Sequence, residues 1–289
     1  GMMMSLTYII GQLSAPVSSF ISFVQQFQDA QISLERLNEV HEIEDEEHNI
    51  DMKMASLPAL KYIELNDLSF SYDGADRDYV LNGINLVIPE HKVTAIVGAS
   101  GSGKTTLVKL MLGLYKPNKG KILVGGTPLE NINPHLWRAS AGAVMQDGYI
   151  FSETIAQNIA VGEEQIDIEK LRHSVMVANI REFIDSLPLG YNTKIGMEGN
   201  GISQGQRQRL LIARAVYKNP EFLFFDEATN SLDANNEKEI MAHLHEFYKG
   251  KTVVVVAHRL STVKDADNIV VLNNGQVAEQ GTHHELTKR

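Results

Sequence analysis

A glycine-rich segment between an apolar run and a helical pattern constrains the fold of this chain more than any other feature. The apolar run TAIVG, residues 94–98, continues through GASGSGKTT into LVKLMLGL, which ends before Lys116 and Pro117. In a strand, glycine loop and helix in this order, backbone N–H groups can turn inward around phosphate oxygens. The segment therefore predicts an α/β unit that binds phosphate.

The loop itself fits the pattern G-x-x-x-x-G-K-[ST] through Gly98, Gly103, Lys104 and Thr105. The positive end of the following helix favours an anion there. We expect Lys104 to reach the β- and γ-phosphates of a nucleotide and the Thr105 hydroxyl to bind Mg²⁺. An ordinary glycine turn before a helix is the structural alternative. The predicted nucleotide contacts of this phosphate loop are Gly98, Ser100, Gly101, Ser102, Gly103, Lys104, Thr105 and Thr106.

A second apolar strand, FLFF at residues 222–225, ends in Asp226 and Glu227. A strand this apolar is typical of a parallel sheet buried on both faces, and its carboxyl end is where ligands bind in open α/β folds. We expect Asp226 to hold Mg²⁺ and Glu227 to polarise the attacking water. Two adjacent acids after a strand also fit a helix cap or a turn, but their pairing with the phosphate loop favours the functional interpretation.

The charge of the chain is unevenly distributed. The net charge of −10 argues against a polyanion such as nucleic acid as the partner. Residues 29–51 hold nine acidic residues against Arg36 alone, whereas residues 52–289 hold 25 basic and 27 acidic residues. The acidity therefore belongs to one short segment. The chain has no cysteine, which excludes disulfides, thiolate metal sites and cysteine nucleophiles.

The N-terminal segment is apolar and uncharged. Residues 1–28 contain no Lys, Arg, Asp, Glu or His, and residues 5–27 would form a helix of about 35 Å, which exceeds the roughly 30 Å hydrocarbon core of a bilayer. We expect residues 1–28 to be the C-terminal part of a transmembrane helix and residues 29–60 to be a helical connector with an acidic linker. An amphipathic helix or a leader peptide is the alternative, although a secretory signal would carry positive charge before the apolar stretch.

The segment ISQGQRQRLLIARAVYKNP, residues 202–220, predicts a helix that is capped by Ser203 and stopped by Asn219 and Pro220. It resembles the signature LSGGQ of the ATP-binding cassette (ABC) family. Ile202, Ser203, Gly205 and Gln206 match or conservatively replace that signature, while Gln204 stands at the first of its two glycines.

The other family elements are present in the expected order. By resemblance, Tyr72 stacks on adenine, Gln146 in VMQDG meets Mg²⁺, SLD at residues 231–233 is the D-loop, and His258 contacts the γ-phosphate. Tyr72 also fits an ordinary strand residue. The predicted metal ligands are Thr105, Gln146 and Asp226, and the predicted catalytic residues are Glu227, His258 and Lys104.

The resemblance implies a P-loop NTPase of the ABC type over residues 61–289, an α/β fold with a mixed sheet, an antiparallel β subdomain and a helical subdomain at about 150–218. Alternating residues at 61–72 and 80–88 independently predict the antiparallel strands. The implied ligands are ATP and Mg²⁺. Two copies are expected to form a homodimer on ATP binding, in which Ser203, Gly205 and Gln206 of one chain face the phosphate loop of the other.

The uncharged N-terminus resembles the join between membrane helix and ATP-binding domain in exporters. TKIGMEGNG, residues 193–201, resembles an exporter segment that contacts the transmembrane domain, with Met197 at the usual glutamate position and Glu198 beside it. The SQGQ variant resembles exporters of bacteriocin-like peptides, including peptidase-containing ones. We expect a fragment of a longer exporter in the inner (plasma) membrane, with the ATP-binding domain on the cytoplasmic side.

Three alternative functions use the same phosphate loop. A soluble ABC-type ATPase in DNA repair or translation typically carries a coiled-coil insertion or a second cassette, and this sequence shows neither. A small-molecule kinase would lack the signature segment. A non-hydrolysing regulatory cassette is disfavoured because both Glu227 and His258 are present.

Overall fold

The structure is a computed structural model that describes residues 2–43, 50–72, 78–196, 201–228, 232, 234–257 and 263–288. It contains two compact units, residues 1–50 and residues 51–289.

The first unit is built on one long helix, α1 (Met2–His41), which buries none of its side chains. It continues without a break across the boundary predicted at residues 28 and 29, with Pro16 inside it. Large apolar side chains along it are exposed, among them Phe20 at 67% and Ile21 at 53%. By length and composition, α1 is the one helix among the described residues that could cross a membrane. Its 40 residues span about 60 Å, more than a bilayer core requires.

The second unit is organised around a six-stranded mixed sheet with the order β10-β9-β3-β8-β7-β6. Its strands are β3 (Val93–Gly98), β6 (Ala141–Val144), β7 (Phe222–Asp226), β8 (Thr252–Val256), β9 (Asn268–Asn273) and β10 (Gln276–Gly281). Neighbouring strands are parallel except for β10, which pairs antiparallel with β9. The carboxyl ends of the five parallel strands therefore lie at one edge.

A second sheet is antiparallel and has the order β2-β1-β4-β5. It consists of β1 (Ile63–Phe70), β2 (Leu81–Ile88), β4 (Lys119–Val124) and β5 (Thr127–Pro128). Strands β1 and β2 alternate buried and exposed positions over part of their length, as a sheet with one covered face does. The predicted antiparallel subdomain is confirmed.

The second unit contains eight helices among the residues that the structure describes. They are α2 (Lys104–Met111), α3 (Pro134–Ser140), α4 (Ile155–Ile159), α5 (Ile168–Val177), α6 (Arg181–Asp185), α7 (Gln204–Lys218), α8 (Ala234–Phe247) and α9 (His283–Leu286). Short 3₁₀ turns occur at Ile50–Met52, Leu129–Asn131 and Gly190–Asn192. Helix α7 packs on α4 and α5. The predicted mixed α/β fold with a helical subdomain is confirmed.

Strand β7 joins the two main hydrophobic clusters. Leu223 and Phe225 belong to the cluster that includes the apolar faces of α5 and α7. Phe222 and Phe224 belong to the cluster beneath α2 and the antiparallel sheet. All five residues of β7 are buried. Because successive side chains of a strand point to opposite faces, this continuous apolar run fills the core on both sides of the sheet.

We expect Phe224→Ala to lower the free energy of unfolding of the full chain by about 3–5 kcal/mol, because the side chain is 1% exposed and its removal leaves a cavity. Leu114→Ala, at a side chain that is 61% exposed, is the control and should change it by less than about 0.5 kcal/mol. Urea unfolding measures both. A loss below about 1 kcal/mol for Phe224→Ala would contradict this packing.

Candidate functional site

The phosphate loop connects the end of β3 to the start of α2, and close contacts with neighbouring strands explain two of its glycines. A Cβ on Gly98 would collide with the carbonyl of Leu272 in β9 and lie 2.7 Å from Ser102 Oγ. Gly103 has a φ of 98°, and a Cβ there would lie 2.5 Å from Leu81 Cδ2 of β2. Both positions therefore require glycine, and the loop is held against both sheets.

Lys104 lies inside this loop and is 6% exposed. Its Nζ donates hydrogen bonds to the carbonyl oxygens of Gly98 (3.0 Å) and Ala99 (2.9 Å). Ser102 Oγ is also buried, and it has no hydrogen-bond partner within the part of the chain that the structure describes. A buried ammonium group and an unsatisfied hydroxyl at a helix N-terminus fit a phosphate group, which would satisfy both.

Asp226 ends β7 and is 1% exposed. Burial raises the pKa of its carboxyl group, and the charge of Glu227 adds to the rise; a hydrogen bond from Thr105 and the charges of Lys104 and Lys109 oppose it. The Oδ1 atom has no hydrogen-bond partner among the described residues. A carboxylate oxygen without a partner beside a hydroxyl fits the oxygen ligands that Mg²⁺ prefers.

Glu227 follows directly and has a left-handed backbone with a φ of 52°. Such a conformation costs a non-glycine residue about 1–2 kcal/mol, so the surrounding structure must hold it. One contact that does so is a hydrogen bond of 3.1 Å from Gln208 Nε2 to the Glu227 carbonyl oxygen. Strained backbone of this kind is typical of functional sites.

Gln146 lies two residues beyond β6, and its side chain is exposed. Strand β6 pairs in parallel with β7, with Val144 opposite Phe225. Gln146 therefore leaves the sheet at the same edge as Asp226 and Glu227.

Tyr72 lies beside the start of α2, where its hydroxyl is 3.0 Å from Thr106 Oγ1. Its ring makes edge contacts with Phe70 and Tyr115, at centroid distances of 4.9 Å and 5.3 Å. The side chain is 49% exposed. The structure thus brings the predicted adenine-stacking residue to the phosphate loop, and it adds Tyr115, which the sequence did not single out.

The signature segment lies at the N-terminus of α7, whereas the phosphate loop leads into α2. Ser203 caps the helix: its side chain accepts a hydrogen bond from Gln206 N, and the Gln206 side chain accepts one from Ser203 N (2.8 Å). Gln204 is the first residue of the helix and is exposed. A glutamine is therefore tolerated where the family has glycine, because an α-helical backbone suits any L-residue. Helix α7 packs on α4, α5 and β6.

Several predicted residues lie outside the described part of the chain: His258, Ser231 and Asp233 of the D-loop, and Met197 with Glu198. Of the strand that precedes His258, the structure describes β8, which pairs with both β3 and β7.

Two arginines of α7, which donate hydrogen bonds to the segment after Gln146, were not identified from the sequence. Arg207 donates to the carbonyl oxygen of Gly148 through Nε (3.0 Å) and its second guanidinium nitrogen (2.6 Å). Arg214 donates to the carbonyl oxygen of Tyr149 (2.9 Å). The spacing of seven residues places both arginines on one helix face, and that signal could have identified them. They fix the segment that follows Gln146 to the signature helix.

We expect Asp226→Asn to stabilise the protein without nucleotide or Mg²⁺ at neutral pH, raising its unfolding temperature by roughly 2–4 °C, the shift that about 1 kcal/mol produces in a domain of this size. A raised pKa means that the folded state binds the Asp226 proton more tightly. Wild-type stability is therefore lost as the pH rises through the folded-state pKa, and the gain from asparagine should shrink in acid.

Differential scanning fluorimetry at neutral pH and at decreasing pH down to about 4, near the ordinary pKa of an aspartate, measures this shift. Asp265→Asn, at an exposed aspartate, is the matched control and should change little. A lower unfolding temperature for Asp226→Asn at neutral pH would show that burial of this carboxylate does not oppose folding.

Comparison with known proteins gives a consistent result. Residues 81–230 match the family model described as ABC transporter. The Toxin RTX-I translocation ATP-binding protein of Actinobacillus pleuropneumoniae is 42% identical over 287 residues. The Alpha-hemolysin translocation ATP-binding protein HlyB of Proteus vulgaris is 40% identical over the same length. Both alignments cover 99% of this chain and 40% of the relative, so the chain spans about two fifths of these proteins.

A solved structure supports the same assignment. A bacterial Atm1-family ABC exporter with ATP bound superposes with a TM-score of 0.82 and 34% identity, over 91% of this chain and 46% of that one. The chain belongs to the ABC transporter family and contains its ATP-binding domain, the ATPase of these transporters.

Proposed function

We propose that this chain is the motor part of an exporter, in which ATP-driven closure of two copies moves membrane helices. The observation that carries this proposal is that one chain contains both a long exposed apolar helix and a phosphate loop flanked by Asp226 and Glu227. Export needs both parts: a source of free energy and a connection to the membrane.

ATP binding rests on buried polar groups of the phosphate loop, of which Ser102 Oγ has no hydrogen-bond partner among the described residues. Lys104 exchanges the carbonyl oxygens of Gly98 and Ala99 for the β- and γ-phosphates, and Ser102 Oγ donates to a phosphate oxygen. Asp226, Thr105 and Gln146 hold Mg²⁺, which neutralises phosphate charge when bound. The remaining loop contacts, Ser100, Gly101 and Thr106, surround the phosphates, and Tyr72 offers the half-exposed ring to adenine.

Hydrolysis depends on Glu227 and His258. The Glu227 carboxylate accepts a hydrogen bond from the attacking water and orients it in line with the γ-phosphate, while His258 contacts that phosphate. The water oxygen forms a bond to the γ-phosphorus while the bond from that phosphorus to the β–γ bridging oxygen breaks, and Glu227 accepts a proton from the water. The products are ADP and inorganic phosphate.

Two chains are needed for one complete site. Ser203 and Gln204, at the N-terminus of α7, are exposed. A second copy places this end, with Ser203, Gly205 and Gln206, against the γ-phosphate, because a helix N-terminus favours anions. ATP thus links the two copies, and loss of the γ-phosphate reopens them.

The proposed membrane-spanning segment rests on the length and apolar composition of α1. We assign residues 1–28 to a transmembrane helix, residues 29–60 to its connector and residues 61–289 to the ATP-binding domain, with the transmembrane domain of the same full-length protein as partner. The domain lies on the cytoplasmic side of the inner (plasma) membrane. The names of these relatives concern translocation of a toxin and of a hemolysin, so we propose a polypeptide, peptide or bacteriocin as the exported substrate.

We expect Glu227→Gln to bind ATP but to hydrolyse it at least about a hundredfold more slowly, the scale of a lost general base. Because the γ-phosphate then persists, the variant should elute as a dimer with ATP and as a monomer without it. Phosphate release and size-exclusion chromatography measure the two effects. Glu246→Gln, at an exposed glutamate paired with Lys249, is the control. A Glu227→Gln hydrolysis rate equal to the wild type would remove Glu227 from this role.

We expect the full chain in phospholipid vesicles to resist extraction with alkaline carbonate. Changing Ile9 and Ile21 together to lysine should release it, since each lysine in a membrane helix costs about 2.5–3.5 kcal/mol. Ile43→Lys, at an exposed apolar residue beyond α1, is the control and should remain with the vesicles. Release of the wild-type chain by carbonate would contradict the membrane assignment.

A further inference from the structure

The signature helix contacts the catalytic end of β7 through one buried side chain. Gln208 lies in the second turn of α7 and is 4% exposed. Its Nε2 donates a hydrogen bond of 3.1 Å to the carbonyl oxygen of Glu227. A polar residue inside a helix face that is otherwise apolar thus contacts the backbone of the proposed catalytic base.

The contacted carbonyl belongs to a backbone unit that needs support. Glu227 has a φ of 52°, a region that side chains rarely adopt and that persists only where the surroundings enforce it. The direction of a residue's carbonyl group follows from its own ψ, so a hydrogen bond to the Glu227 carbonyl restrains the backbone that aims the Glu227 side chain. Removing the donor would remove this restraint while the carboxylate stays in place.

The neighbours of Gln208 bind other segments. Arg207 holds the Gly148 carbonyl, just beyond Gln146, and Arg209 donates to the Asn179 carbonyl (2.8 Å). Three consecutive side chains of α7 therefore contact three different parts of the domain. Among these three contacts, that of Gln208 is the one made to the catalytic residue.

Gln208 lies on the same helix as the signature residue Ser203, so its contact with Glu227 depends on the position of that helix. Ser203 and Gln208 are five residues apart on one helix, about 7.5 Å along its axis. In the proposed dimer, the Ser203 end meets the ATP held by the second copy, while Gln208 contacts the Glu227 that serves the chain's own ATP. A shift of the rigid helix at one end therefore displaces the hydrogen bond at the other.

We propose that Gln208 is a positioning residue, which aligns Glu227 for hydrolysis in response to the position of α7 and so couples the two ATP sites of the dimer. This inference rests on the proposed function, because it requires hydrolysis by Glu227. It assigns Gln208 no contact with nucleotide or water. Its effect belongs to the chemical step and leaves ATP binding unchanged.

The first test replaces Gln208 by methionine, which has similar length and volume but no N–H donor, and by leucine, which is shorter and also has neither a donor nor a charge. We expect both variants of the full chain to lose about tenfold to a hundredfold in kcat, the scale of a misplacement of about 1 Å, with KM within about threefold. Their unfolding temperatures should stay close to the wild type. Gln165→Met, at an exposed glutamine, is the control and should retain full activity.

The second test combines Gln208→Met with Glu227→Gln in a double-mutant cycle. If Gln208 acts through Glu227, the double variant should hydrolyse ATP within about twofold of Glu227→Gln alone. A further loss equal to that of Gln208→Met alone would overturn the inference, because Gln208 would then act by another route.

The outcomes separate this inference from the proposed function. A wild-type kcat for Gln208→Met, or a changed KM with an unchanged kcat, overturns the positioning role and leaves the motor function intact. Full hydrolysis by Glu227→Gln overturns both. A loss of kcat by Gln208→Met that is accompanied by unfolding, while Gln208→Leu stays folded with wild-type kcat, also overturns the positioning role.

Discussion

The site depends on two opposite charges that are held out of water at one sheet edge without contacting each other as an ion pair. Lys104 Nζ donates hydrogen bonds to two loop carbonyl oxygens, and Asp226 Oδ1 has no hydrogen-bond partner among the described residues. Burial of such groups is costly unless a ligand completes them, and it raises the pKa of Asp226. The site is therefore incomplete without a ligand, and a phosphate group together with a cation completes it.

The parallel sheet makes this arrangement possible. Because β3, β7 and β8 are neighbours and run in the same direction, the phosphate loop and Asp226 leave the sheet at one edge. The fully apolar β7 anchors that edge in two hydrophobic clusters at once. Helix α7 also restrains this edge of the sheet. Its Arg207 holds the segment after Gln146, and its Gln208 holds the backbone of Glu227.

Much of this could be predicted from the sequence. The phosphate loop, the FLFF strand with its two acids and the cap at Ser203 are local patterns whose geometry follows from a few neighbouring residues, and the structure has the loop, the strand and the cap at the predicted positions. The left-handed backbone of Glu227 and the reach of Gln208 could not be predicted, because both arise from contacts between segments far apart in the chain. Likewise, the packing of Tyr115 on Tyr72 is a contact between segments far apart in the chain. The domain boundaries and the role of each site residue remain predictions.

The most direct test of the central claim is the ATP affinity of the full chain and of Lys104→Ala, measured by titration with a fluorescent ATP analogue in the presence of Mg²⁺. Loss of a buried charge that meets the phosphates should weaken binding by at least about thirtyfold, equivalent to about 2 kcal/mol. Lys249→Ala removes a lysine that is 68% exposed and should bind as the wild type does. Equal affinity for Lys104→Ala and the wild type would contradict the account, because the buried lysine would then have no part in holding ATP.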